Sequence, residues 1–83
     1  MKVTVRYFAS IREAIGQGSE AVETSASTLG ALRDELIARG GAHAASLARG
    51  KAVRMALDQV MVGEEAPLAE GAEVAFFPPV TGG

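Results

Sequence analysis

The residues best placed to do chemistry in this 83-residue sequence are its last two, Gly82 and Gly83. They have no side chains, so the reactive group they offer is the main-chain carboxyl of Gly83. Their setting is PPVTGG. Pro78 and Pro79 fix φ and hold the chain extended, while residues without Cβ atoms make a slender tip that can thread a narrow channel and bend close to a reactive centre. With glycine near 7% of average sequences, a terminal pair arises in roughly one chain in 200 by chance, so the pair alone is a weak signal. The stiff stalk behind it strengthens it, because a merely frayed terminus does not account for a tail rigid at its root and bare at its tip.

The side chains offer no competing site. There is one histidine, His43, and no cysteine, which excludes disulfides, thiolate metal sites and thiol nucleophiles together. His43 stands among alanines without convergent partners and reads as a plain surface residue. Glu64 and Glu65 are adjacent in a glycine-containing turn and read as solvated. No serine sits in a nucleophile elbow, and the glycines form neither GxGxxG nor a phosphate loop. The chain is expected to bind no metal and no cofactor of its own.

Lys and Arg number 8 against 10 Asp and Glu, a formal net charge of −2, and the basic residues are scattered. Nucleic acid is not an expected partner, since phosphate binding needs a concentrated positive face. The start, MKVTVRYF, alternates polar and apolar residues and lacks the apolar run of about 7 to 15 residues of a secretory signal. The longest apolar run, residues 74–80, holds two prolines and falls far short of the roughly 18 residues of a membrane span. A cytoplasmic protein without membrane contact is expected.

The elements that must position the tail follow from periodicity. Residues 2–8 alternate, with Val3, Val5 and Tyr7 on one parity, and read as a strand with one buried face. Ser10 is placed to cap a short helix with Ile11 and Ile15 on one side, ended by Gly16. Residues 21–24 read as a weaker strand. Thr28 or Ser27 caps the main helix, whose Leu29, Leu32 and Leu36 form one apolar stripe while Arg33, Asp34, Glu35 and Arg39 point elsewhere; Gly40 and Gly41 stop it. The alanine-rich residues 42–47 add a helical turn. Val53, Met55 and Leu57 alternate in a third strand, a short fourth follows Asp58 and Gln59, a turn holds Leu68, and residues 73–78 form the last strand. This order predicts an α+β domain of β-grasp type, a mixed sheet of four to five strands packed on one main helix, spanning residues 1–78. Residues 79–83 are expected as a flexible, extended tail.

Strand parity predicts a second feature. If Val3, Val5 and Tyr7 face the helix, Phe8 faces out; if Val74 and Phe76 do, Phe77 faces out. Two phenylalanines on the open face near the tail base suggest a docking surface.

RYFASIREAIG near the start and GAEVAFFPPVTGG at the end resemble the two signatures of the MoaD-type sulfur carriers, the small subunits of molybdopterin synthase, and TLGALRDEL and VRMALDQ fall at the matching places between them. The family commonly has Asp at Ala72 and Asn at Asp58. The resemblance implies a ubiquitin-like β-grasp fold whose terminal Gly83 carboxylate is adenylated by an E1-like activating enzyme using ATP and Mg²⁺, then converted by a sulfur donor protein to a thiocarboxylate. That group would deliver sulfur to cyclic pyranopterin monophosphate within the large subunit, the two subunits forming a heterotetramer. It further implies that Pro78, Pro79, Val80, Thr81 and Gly82 form the arm inserted into the partner, and that Met61 joins Phe8 and Phe77 in the docking patch. The thiamine-pathway sulfur carriers share the fold and the Gly-Gly end but usually lack the YFASIRE-like segment. They and the ubiquitin-like protein modifiers stay open as alternatives.

Overall fold

Val3, Val5 and Tyr7 are buried and their neighbours exposed along β1 (Lys2–Tyr7), the alternation of a strand with one covered face. The chain continues through α1 (Ala9–Ile15), β2 (Ser19–Glu23), α2 (Leu29–Ile37), α3 (Gly41–Leu47), β3 (Arg54–Leu57), β4 (Val60–Val62) and β5 (Glu73–Phe77). The structure, a computed structural model, describes residues 1–79; the expectations that concern Val80, Thr81, Gly82 and Gly83 lie outside the described residues.

The five strands form one mixed sheet in the order β2-β1-β5-β3-β4, in which β1 and β5 run parallel and the other neighbours antiparallel. Inward residues of the sheet, among them Val5, Tyr7, Val74 and Phe76, share one core with Ile11 of α1, Leu29, Leu32 and Leu36 of α2 and Leu47 of α3. This is the β-grasp fold. Each large side chain of this kind contributes roughly 1.5–3 kcal/mol by leaving water. The covering layer is more evenly shared than the single main helix expected, because α2 has nine residues and α1 and α3 seven each. Among the described residues, no helix is long and apolar enough to cross a membrane.

Helix α2 starts as its sequence predicts. The Thr28 hydroxyl oxygen accepts from the Ala31 N–H at 3.2 Å, and the Leu29 and Gly30 N–H groups donate to the carbonyls of Ala66 and Glu64. Helix α1 departs from expectation: Ser10 lies inside it and caps nothing. Ala9 adopts φ +51° and the helix starts two residues earlier, so Phe8 is the N-cap and its carbonyl accepts from Ile11 and Arg12. Arg33 also departs. It sits on the core side, 3% exposed, because carbonyls at the end of α3 and the following loop consume its donors.

Asp58 and Gln59 join β3 to β4 in a two-residue hairpin, both in the left-handed region at φ +50° and +70°. Such a turn matches the twist of paired strands. Asp58 also extends the sheet: its N–H donates to the Glu73 carbonyl at 2.8 Å, and its carboxylate accepts from the Glu73 N–H at 2.9 Å.

Candidate functional site

β5 ends at Phe77, next to Pro78 and Pro79, where three neighbouring segments meet. β1 lies parallel on one side and β3 antiparallel on the other, with Tyr7 opposite Phe76 and Arg54 opposite Phe77. The chain leaves β1 into α1 at this point, and the Phe8 N–H donates to the Phe76 carbonyl at 3.1 Å. This bond locks the β1–α1 junction onto β5 just before Pro78 and Pro79, both half-buried.

Because side chains alternate across a strand, Phe77 stands on the face of the sheet opposite Phe76. Phe8 turns to the same face, and the two rings meet edge to face with centroids 6.2 Å apart, an arrangement that adds roughly 0.5–1.5 kcal/mol beyond simple burial. Phe8 remains 38% exposed. The Arg6 guanidinium lies 5.2 Å above the Phe8 ring and pairs with Glu73 at 3.4 Å, so the aromatic pair is bordered by a neutralised charge.

Met61 is 49% exposed, which removes it from the core. It pairs with Ala56, which pairs with Ala75. Directly opposed residues share a face, so Met61 lies on the same open face as Phe77, on the edge strand, with two alanines between. The structure therefore brings Phe8 and Phe77 into contact and leaves Met61 as a separate apolar point across a shallow floor of small side chains.

Two polar clusters escaped the sequence reading. In the first, the Glu20 carboxylate accepts from the Tyr7 hydroxyl at 2.7 Å and Arg39 at 2.8 Å, and lies 2.9 Å from the His43 ring nitrogen. Burial opposes the charged form of Glu20, but hydrogen bonds from Arg39, His43 and Tyr7 outweigh it and hold its pKa at about 2. Burial, reinforced by the bond to Glu20, pushes the Tyr7 hydroxyl upward. His43 is thus not a plain surface residue: it is largely covered and stands edge-on to Tyr7 at 5.9 Å. Its partners are 23 and 36 positions away by number, beyond any local motif.

The second cluster centres on Arg33. It donates to the carbonyls of Leu47 and Ala48 at 2.8 Å and Lys51 at 3.2 Å, and to Glu64 at 3.1 Å. Glu64 also pairs with Arg49, which reaches Asp34 at 2.9 Å. Glu64 is therefore a structural anion, half-buried rather than solvated. Only an interruption of the helix's polar face by a core-side arginine could have signalled this.

Among the described residues, no group of three His, Cys, Asp or Glu side chains could hold a metal ion.

The sequence profile of the ThiS family matches residues 5–83. The molybdopterin synthase sulfur carrier subunit of Escherichia coli (strain K12) is 41% identical over 81 residues, which cover 98% of this chain and 99% of that one. A chain of the protein–protein complex of subunits 1 and 2 of the molybdopterin-converting factor from Helicobacter pylori 26695 superposes with a TM-score of 0.68 at 27% identity, covering 100% of both chains. SAMP1 from Haloferax volcanii has a TM-score of 0.78 at 24% identity, again over 100% of both chains, and shares the fold. A profile match that runs through nearly the whole sequence to its last glycine establishes that the chain belongs to the ThiS family.

Proposed function

We propose that this chain is the sulfur carrier and small subunit of molybdopterin synthase, a sulfurtransferase, with residues 1–78 as the folded body and residues 79–83 as its working arm. The observation that carries this reading is the end-to-end match to the E. coli sulfur carrier subunit, combined with an aromatic pair at the foot of the arm.

A carboxylate is a poor acyl donor because its charge is delocalised and its leaving group would be an oxide. An E1-like activating enzyme solves this by joining the Gly83 carboxylate to the α-phosphate of ATP, with Mg²⁺, and releasing pyrophosphate. The terminal sulfur of a persulfide on the donor protein then attacks the acyl carbon and AMP leaves; a thiol cleaves the acyl disulfide so formed, which releases the thiocarboxylate and leaves a disulfide behind. The arm of Pro78, Pro79, Val80, Thr81 and Gly82 carries that group into the large subunit, where it gives its sulfur to cyclic pyranopterin monophosphate. Phe8 and Phe77 hold the body against the partner, with Met61 as an outlying contact, in a cytoplasmic heterotetramer. The chain supplies position and sulfur; acid and base groups come from the partner.

Intact-mass measurement of the chain produced with its activating enzyme tests this. A sulfur carrier shows one oxygen replaced by sulfur. Branched conjugates to lysines of other proteins would instead indicate a protein modifier, and an unmodified mass would count against the proposal.

A further inference from the structure

The aromatic pair occupies one side of the tail root, and a groove of about 290 Å³ occupies the other. Alternation along β5 explains the placement. Phe77 projects on the open face, so Pro78 turns back toward the helices, where it lines the groove with Ile11, Ala14, Ala52, Val53 and Lys51. We infer that this groove is a second docking subsite for the large subunit, and that it accepts from that partner an apolar side chain with a carboxylate beside it. The inference rests on the reading of the tail as an inserted arm.

Three observations carry it. The first is continuity: a partner channel that admits the chain beyond Pro78 has a rim surrounding the root, and that rim meets the groove on one side as it meets Phe77 on the other. The second is charge. Lys51 is exposed and makes no ion pair among the described residues, so the groove offers an apolar patch of Ile11, Ala14 and Val53, the hydroxyls of Ser10 and Ser46, and one cation without a carboxylate partner. The third is preorganisation. The Lys51 N–H donates to the Ala48 carbonyl at 2.9 Å, and the buried Arg33 binds the carbonyls of Leu47, Ala48 and Lys51. Removing a guanidinium from water costs several kcal/mol, and what it secures here is a fixed loop that presents Lys51 beside the tail root. A contact on a fixed loop loses little ordering entropy on binding.

The test is calorimetric titration of the full chain with the large subunit. Lys51→Glu should weaken Kd by about 10-fold or more, because it replaces attraction with repulsion, and Lys51→Gln by a smaller factor. Ala14→Arg, on the exposed side of α1, should weaken binding comparably by filling the groove. Thermal melts establish that each variant is folded. Lys2→Glu, at the far end of β1, should leave Kd unchanged. Affinities for Lys51→Glu and Ala14→Arg within about twofold of the parent would overturn the groove as a subsite. Intact mass of the parent chain is read in parallel: absence of a thiocarboxylate there defeats the sulfur-carrier proposal, whereas unchanged affinities defeat only the groove.

Discussion

Phe77 illustrates how one residue acquires a role from its parity. Its neighbour Phe76 is fully buried and Phe77 is half-exposed, though the two are chemically identical. The difference arises from the side of β5 each occupies. Phe76→Ala should remove a core ring and cost about 3–5 kcal/mol of stability, enough to threaten folding of so small a domain. Phe77→Ala should melt within a few degrees of the parent yet weaken binding to the large subunit by roughly 30-fold, the loss typical of an aromatic anchor worth about 2 kcal/mol. Melting temperature and titrated affinity, measured on both variants, separate the two roles; equal affinity for Phe77→Ala and parent would remove it from the interface. This parity was legible in the sequence, because alternation is a local property. The role of Arg33 was not legible, since the carbonyls that bury it belong to Leu47, Ala48 and Lys51 on a different element.

At the scale of elements, the strands and the N-cap of α2 followed from periodicity and from Thr28, whereas the start of α1 and the end of α2 at Ala38 did not. Ser10 has the chemistry of a cap, but the hydrogen bond from Phe8 to Phe76 and the left-handed turn at Ala9 move the helix start forward. A tertiary contact overrode a local preference. The β3–β4 hairpin shows a related tension, for Asp58 and Gln59 both adopt positive φ, and glutamine has no special tolerance of it. Relief of left-handed strain at a non-glycine residue is worth about 1–2 kcal/mol, part of which the greater freedom of unfolded glycine cancels. Gln59→Gly should therefore stabilise the domain by about 0.5 kcal/mol and raise the melting temperature by roughly 2–4 °C. Asp58→Asn keeps the oxygen that accepts from Glu73 and should be tolerated. Asp58→Ala removes that exposed hydrogen bond and should lower stability by about 0.5–1.5 kcal/mol. A melt of Gln59→Gly below the parent would show that the turn carries no strain.

For the whole molecule, Glu20 is the point at which separate layers are tied together. One carboxylate at the edge strand β2 takes bonds from Tyr7 on β1, Arg39 just beyond α2 and His43 in α3. No sequence pattern announces such a junction, because its members are scattered along the chain and only the closed fold brings them together. Its titration should be visible in global stability. In the folded chain the Glu20 pKa is about 2, against an ordinary value of 4.5, so the folded state binds its proton more weakly than the unfolded state does. The stabilisation is therefore fully present above about pH 4.5 and is lost as pH falls toward 2. After solvent screening of the partly exposed Arg39 partner, this contributes on the order of 1–2 kcal/mol, still a noticeable part of what a domain of this length has to spare. Glu20→Gln keeps the side chain's shape and removes the titrating charge. Denaturant unfolding from pH 7 to pH 2 should show the parent more stable at neutral pH and the two curves converging in acid, with the gap closing between about pH 4.5 and 2. A constant gap across that range would mean that the junction holds the layers together by shape, with the charge on Glu20 contributing nothing.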